Sequence, residues 1–324
     1  MKEKRRDFLK TAASVTAGLA MACSPESEAM AAEAAVTESS QATPGVDKSP
    51  MPTLELGQHT LSRLMVGSNP IHGYSHFNSL YSKHMLEWST PDHICKLMDR
   101  CWEVGINTWQ FSHHERAMRD LKEHRKRGGK MQWILLSHSE IENDHSLIKE
   151  VAELSPIGIV HHGGSAERKR RQGKVGEVRD FLKAVRDSGV KVGLSTHDPE
   201  FLDQAESEDW DVDFYMTALY YLTRSDEEFQ KLLGTRPLGE IYLPEDPARM
   251  CKVIRQTPKT CLTYKVLAAG RRSNTPEQIN EAFRFTLENI KPHDGMIIGM
   301  YPRYSDQVGE NSNQFKKIVE DLKV

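Results

Sequence analysis

The sequence predicts a single (β/α)8 barrel over residues 53–324, and three observations carry that expectation. Four short apolar runs reach histidine at or near their carboxyl ends: Asn107–His114 (NTWQFSHH), Met131–Ser139 (MQWILLSHS), Ile157–Gly163 (IGIVHHG) and Lys191–Asp198 (KVGLSTHD). Being apolar on both faces, they suit parallel strands covered by helices. Each is followed by a polar turn and a helix-like segment, and the alternation continues to eight strands over about 270 residues, close to the usual barrel size. An open nucleotide-binding sheet would carry G-x-G-x-x-G after its first strand, and VGSNPIHG does not.

The elements follow in order. Residues 1–31 read as an address. Arg5, Arg6, Phe8, Leu9 and Lys10, ahead of the apolar run Thr11–Ala22, resemble a twin-arginine (Tat) signal, which implies passage through the Tat translocon. Ala20-Met21-Ala22-Cys23 resembles a lipobox, and Ala29-Met30-Ala31 offers an ordinary cleavage site. Two destinations stay open: the periplasm, or the cell envelope through a lipid on Cys23. Residues 32–52 are Ala, Ser, Thr and Pro with almost no bulky apolar residue, so they read as a disordered tether.

Leu61–Ser68 is the first strand, and Asn69–Ser89 a long loop carrying His72, His76, Tyr81, His84 and Trp88. Loops of this length are often functional. Thr90 caps a helix to Val104, with Pro91 in its first position and Ile94, Leu97, Met98 and Cys101 on its apolar face. Strand Asn107–Ser112 precedes helix Glu115–Arg127; strand Met131–Ser137 precedes helix Asp144–Leu154. Strand Ile157–His162 leads into the basic loop GGSAERKRRQGK and helix Gly176–Ser188. Strand Lys191–Thr196 is followed by a helix opening at Pro199. Strand Asp213–Tyr221 precedes helical pieces Ser225–Leu233 and Pro247–Gln256. Strand Cys261–Ala268, a helix from the Thr275 cap to Ile290, strand Gly295–Tyr301 and helix Ser305–Leu322 complete the chain.

The net charge of −3 gives no reason to expect a nucleic-acid partner. No apolar stretch is long enough for an ordinary membrane span. The 5 cysteines contain no CxxC, which points to free thiols.

Histidines at the carboxyl ends of parallel strands share one face, the face that holds barrel active sites. His113, His138, His161 and His197, with Asp198, have the chemistry of a first shell for a divalent metal such as Zn or Mn. In adjacent pairs such as His161-His162 at most one member enters the barrel mouth. His161, His138 and Glu115 are candidate acid–base groups, and Lys265 is a candidate Schiff base, general base or oxyanion partner. Asn69, Gln110, His72 and Tyr221 are candidate contacts to a small hydroxylated substrate.

Several segments in order resemble the aldo-keto reductase superfamily. SRLMVGSNPIHG is similar to its opening strand, GINTWQFS to its second strand, and EVRDFLKAVRDSGVKVGLSTHD to its fourth helix and fifth strand. KVLAAGR is similar to the segment after strand seven, and IIGMYPRYSDQVGEN to its strand-eight nucleotide loop. The resemblance covers about residues 60–315 and implies a barrel with NADP held near Gly299, Arg303, Gln307 and Asn311. Of the family's catalytic tetrad, the Asp position falls on Gln110, the Tyr near Glu115, and the Lys on Ser137 or His138; the His is retained as His161. The leading expectation is an exported, oxidoreductase-like enzyme for a small carbonyl or sugar-like substrate. The alternatives are a metal-dependent lyase, hydrolase or isomerase, and a non-catalytic binding protein.

Overall fold

A computed structural model describes residues 47–323. The leader, Cys23 and most of the expected tether lie outside the described residues. Eight parallel strands close into a barrel: β3 (Leu64–Gly67), β4 (Thr108–Ser112), β5 (Gln132–Leu136), β6 (Gly158–His161), β7 (Lys191–Thr196), β8 (Phe214–Ala218), β9 (Thr260–Tyr264) and β10 (Gly295–Gly299). β10 pairs back onto β3 and leaves no open edge.

The two faces of each strand have different fates. Met65, Ile134, Val160, Phe214, Met216, Leu262 and Ile297 form one cluster inside the barrel. Their chain neighbours, such as Val66, Trp133, Leu135, Ile159 and Tyr215, join a larger cluster with the helices outside. This is the period-two alternation of a strand buried on both faces. The expected first strand is two elements. β1 (Thr53–Leu56) and β2 (His59–Ser62) form an antiparallel hairpin, and the barrel strand starts only at Leu64. Gly57, at φ +65, makes the hairpin turn. Leu54, Leu56 and Leu61 join the inner cluster, so the hairpin adds to the barrel's interior.

The helices are α1 (Ser79–Trp88), α2 (Pro91–Glu103), α3 (Glu115–Lys126), α4 (Ser139–Asn143), α5 (Ser146–Glu153), α6 (Gly163–Arg171), α7 (Val175–Asp187), α8 (Pro199–Ser207), α9 (Asp226–Leu233), α10 (Asp246–Ile254), α11 (Pro276–Asn289) and α12 (Gln307–Leu322). Thr90 and Thr275 cap α2 and α11 as the sequence indicates. The strand expected over Cys261–Ala268 ends at Tyr264 and gives way to a turn, and two further segments differ from expectation. The basic run after β6 is helix α6 rather than loop, because the His162 ring accepts from Ser165 N–H and supplies its cap. Within the long loop after β3, Asn78 caps α1. Met51, inside the expected tether, is buried, and Asp47 bonds Asn313 and Lys316 of α12. Cys95, Cys101, Cys251 and Cys261 are free and buried.

Candidate active site

The strand ends bring polar groups to the barrel mouth, and register decides which side chains face it. Gln110 pairs in register with Gly67 and Ile134, which puts it on the inner face. His161 pairs with Leu194, on the outer face. His161 is fully buried, with its ring edge-on to Phe181 at 4.8 Å and its Nδ1 3.7 Å from Glu142 Oε1. Burial pushes its pKa down to about 4 despite Glu142. His161 is therefore a packed structural histidine, contrary to its expected catalytic and metal roles. Glu142 also accepts from Ser137 Oγ (2.6 Å) and Ser165 Oγ (2.5 Å), and the Ser137 hydroxyl accepts from His162 N–H (2.8 Å). This network ties β5, β6 and α6 together.

The expected metal ligands do not converge. Asp198 caps α8 through Glu200 N–H and pairs with Arg170 at 2.7 Å. His113 lies near the exposed Glu140, and the ring of the exposed His138 bonds its neighbour Ser139. His197 lies on Tyr264. Among the described residues no group of three or more His, Cys, Asp or Glu side chains is arranged to hold a metal ion. Glu115 is exposed in the first turn of α3, where its charge suits the helix dipole. His72 is buried against Asp120 (3.4 Å) and the His114 ring (4.6 Å), and Tyr221 is buried beside Arg224 (4.5 Å). Asn69 is partly buried at the end of β3, where its carbonyl accepts from Tyr74 N–H.

Lys265 follows β9 directly and is partly buried. Its Nζ is 3.2 Å from His76 Nε2, and His76 Nδ1 is 2.7 Å from Glu240 Oε1. Tyr242 Oη donates to the other Glu240 oxygen at 2.9 Å. The three groups form a line from carboxylate through imidazole to amine. Burial pulls the Lys265 pKa down to about 8; Glu240 opposes that fall and Arg271 adds to it. Burial raises the Glu240 carboxyl, but the bond and charge of His76 outweigh it and hold the pKa at about 2. Glu240 is thus ionised and orients His76 Nδ1–H toward itself, which leaves Nε2 to accept from the amine.

The backbone here is unusual. Lys265 (φ 61), Ala268 (φ 48), Ala269 (φ 52) and His76 (φ 54) occupy the left-handed region without being glycine. Such conformations cost energy and cluster at functional sites.

A second line runs beside the first. Tyr264 Oη is 3.1 Å from Ser195 Oγ and 3.2 Å from His197 Nε2. Behind His197 the buried Glu167 accepts from Thr196 Oγ1 (2.8 Å), His197 N–H and Asp198 N–H. Burial raises the Glu167 pKa, but the charge and bonds of His197 outweigh it and hold it at about 2. His76, Glu240, Tyr264 and Glu167 were not among the sequence candidates for the site. Only His76 had a signal, as a histidine in a long loop after a strand.

The expected nucleotide loop is partly committed. Gln307 accepts from Tyr301 N–H at 2.7 Å, and Asn311 is buried. Asp306 caps α12 through Gly309 N–H and pairs with Arg100 at 2.6 Å. Arg303 is exposed, with Nη1 2.9 Å from His84 Nε2. Gly299 ends β10 beside Pro70, whose ring a Cβ at Gly299 would meet at 2.9 Å. Next to this loop lies a groove of about 470 Å3 lined by Trp88, Lys96, Arg100, Arg303, Tyr304 and Asp306 among others.

No family model and no curated protein matches the chain. Solved structures do. The apo form of Gox0644 is 11% identical, covers 83% of this chain and 93% of its own, and has a TM-score of 0.51. A truncated 3-deoxy-D-arabino-heptulosonate 7-phosphate synthase from Thermotoga maritima is 10% identical with coverages of 85% and 91% and a TM-score of 0.49. A Gox0644 variant in complex with NADPH is 12% identical with coverages of 84% and 93% and a TM-score of 0.49. At this identity the likeness shows the fold, an eight-stranded parallel TIM barrel; chemistry has to be argued from the site.

Proposed function

We propose that this protein is a barrel enzyme acting on small carbonyl compounds through Lys265. One observation carries the proposal: the Glu240–His76–Lys265 line at a strand's carboxyl end, with the amine drawn down to about 8. A desolvated lysine of this kind is an activated nucleophile, and a carboxylate-oriented imidazole is its base. The step balances without an outside reagent. His76 Nε2 takes a proton from the Lys265 ammonium, and the freed lone pair attacks the carbonyl carbon. A C–N bond forms as the C=O pair moves to oxygen. His76 passes its proton to that oxygen, a second proton follows from nitrogen, and the oxygen departs as water. Ammonium plus carbonyl thus become protonated imine plus water, and the imine is an electron sink for bond changes at the next carbon.

The test is reductive trapping. Pyruvate, glyceraldehyde 3-phosphate or glyceraldehyde is added with borohydride, and peptides are read by mass spectrometry. Lys265 is expected to carry the label ahead of surface lysines, with a pH midpoint near 8, and Lys265→Met to remove it. Label spread evenly over exposed lysines would refute the proposal.

A second reading is aldo-keto reductase-like, NADP-linked redox chemistry. The groove beside the β10–α12 loop supports it, with Trp88 and Tyr304 for stacking and Lys96 and Arg303 for anionic oxygens. The Asp306 carboxylate opposes it by occupying the helix terminus that a phosphate would use. In either case the twin-arginine leader supports export of the folded protein, to the periplasm or to the envelope through Cys23.

A further inference from the structure

We infer that the substrate of the Lys265 site is an anionic carbonyl compound whose carboxylate or phosphate is held by Arg271; this rests on the lysine reading above. Lys265 and Arg271 belong to one tight turn. Ala268 N–H donates to Lys265 C=O (2.8 Å), and Arg271 N–H donates to Ala268 C=O (3.2 Å). Ala268, Ala269 and Gly270 (φ +90) all take left-handed conformations between them. The turn folds the arginine back toward the amine, so that both reach one residue: Lys265 Nζ lies 3.2 Å from His76 Nε2, and Arg271 Nη1 3.4 Å from the His76 carbonyl oxygen.

The guanidinium is held in place. It lies over the Tyr242 ring at 4.2 Å and the Phe77 ring at 5.6 Å. Its Nη1 donates to Ala268 C=O (3.2 Å) and His76 C=O (3.4 Å). The aromatic faces and carbonyls fix the fork without neutralising it. Among the described residues Arg271 has no ion pair, whereas Arg170 pairs with Asp198, Arg224 with Asp246, and Arg272 with Glu281. The nearby carboxylate, Glu240, is engaged by His76 and Tyr242. Arg271 therefore keeps an unneutralised, exposed fork beside the nucleophile. A fixed guanidinium of this kind suits two-point recognition of a carboxylate or phosphate. It would hold the carbonyl of such a molecule against Lys265 Nζ.

The experiment is competitive trapping on the folded chain at pH 9, where the amine is largely neutral. Pyruvate, glyceraldehyde 3-phosphate and neutral glyceraldehyde are compared by the concentration that half-labels Lys265. At least one anionic probe is expected to label at tenfold or lower concentration than glyceraldehyde. Preference for pyruvate assigns a carboxylate, and preference for glyceraldehyde 3-phosphate a phosphate. Arg271→Gln is expected to collapse the anionic-to-neutral ratio to near one, and Arg271→Lys to keep part of it. Equal labelling by all three probes, or an unchanged ratio in Arg271→Gln, overturns the inference while leaving the lysine chemistry standing. No label from any probe overturns both.

Discussion

Lys265→Met should make the protein more stable at neutral pH and inactive. The Lys265 pKa falls from the ordinary 10.5 to about 8 because the charged amine is partly removed from water. That difference corresponds to about 3 kcal/mol of disfavour for the protonated form in the folded state. The sign follows from linkage. Below pH 8 both states carry the proton and the fold bears the whole cost. Between 8 and 10.5 the unfolded chain holds more protons than the folded one, so stability rises with pH and the cost disappears. Methionine removes the charge but leaves His76 Nε2 without its 3.2 Å partner, a loss of about 1 kcal/mol. The net expectation is a gain of about 2 kcal/mol at pH 6.5, or roughly 4–8 °C in Tm for a domain of this size. Near pH 10.5 the sign should reverse, with the variant less stable by about 1 kcal/mol. Urea unfolding of both proteins at the two pH values measures this. A stability difference that does not change with pH would show that the amine is fully solvated, and the nucleophile argument would fall with it.

Glu167→Gln should destabilise the fold by about 2–3 kcal/mol at pH 7, because Glu167 gathers Thr196, His197 and Asp198. Its folded pKa of about 2 lies below the ordinary 4.5, so the gap to wild type in urea midpoint should close as pH falls from 4.5 toward 2. NADPH, followed by fluorescence, is expected to show no saturable binding below about 1 mM, roughly −4 kcal/mol, given the Asp306 cap on α12. Micromolar binding that weakens in Arg303→Ala would restore the nucleotide-linked reading.

The barrel was legible because its strands are short, apolar on both faces and regularly spaced. Lys191–Thr196 and the helix opening at Pro199 match the sequence expectation at those bounds. The hairpin was missed, its last two residues being read as the start of strand Leu61–Ser68, although Leu54 and Leu56 alternate with polar residues and Gly57 follows them. The basic run of α6 looked like loop because charge gives no period. Its helix depends on a histidine cap and on Ser165 and Glu167 being buried beneath it. The strand alternation was legible at His161-His162, but not which member faces in. That depends on the pairing of His161 with Leu194 across two strands.

Of the candidate site, the place of Lys265 at a strand end was legible and its partners were not, for one physical reason. A strand end fixes a side chain's location through local pattern, whereas its partners arrive on loops without any period. His76 and Glu240 are 164 positions apart, in the segments after β3 and α9. Nothing in their local sequence relates them. The backbone around them does: non-glycine residues in left-handed conformations occur on both loops, at His76 and at Lys265, Ala268 and Ala269. Conformations that cost energy persist only where surrounding contacts over-determine them. Here those contacts are the Glu240–His76–Lys265 line and the Arg271 stack on Tyr242. The same conformation occurs in exposed turns elsewhere, at Ser155 and Asp209, so the backbone alone does not mark a site. What sets this turn apart is that it holds an amine, an imidazole and a guanidinium in one mutual geometry, and that is the strongest structural argument for chemistry at Lys265.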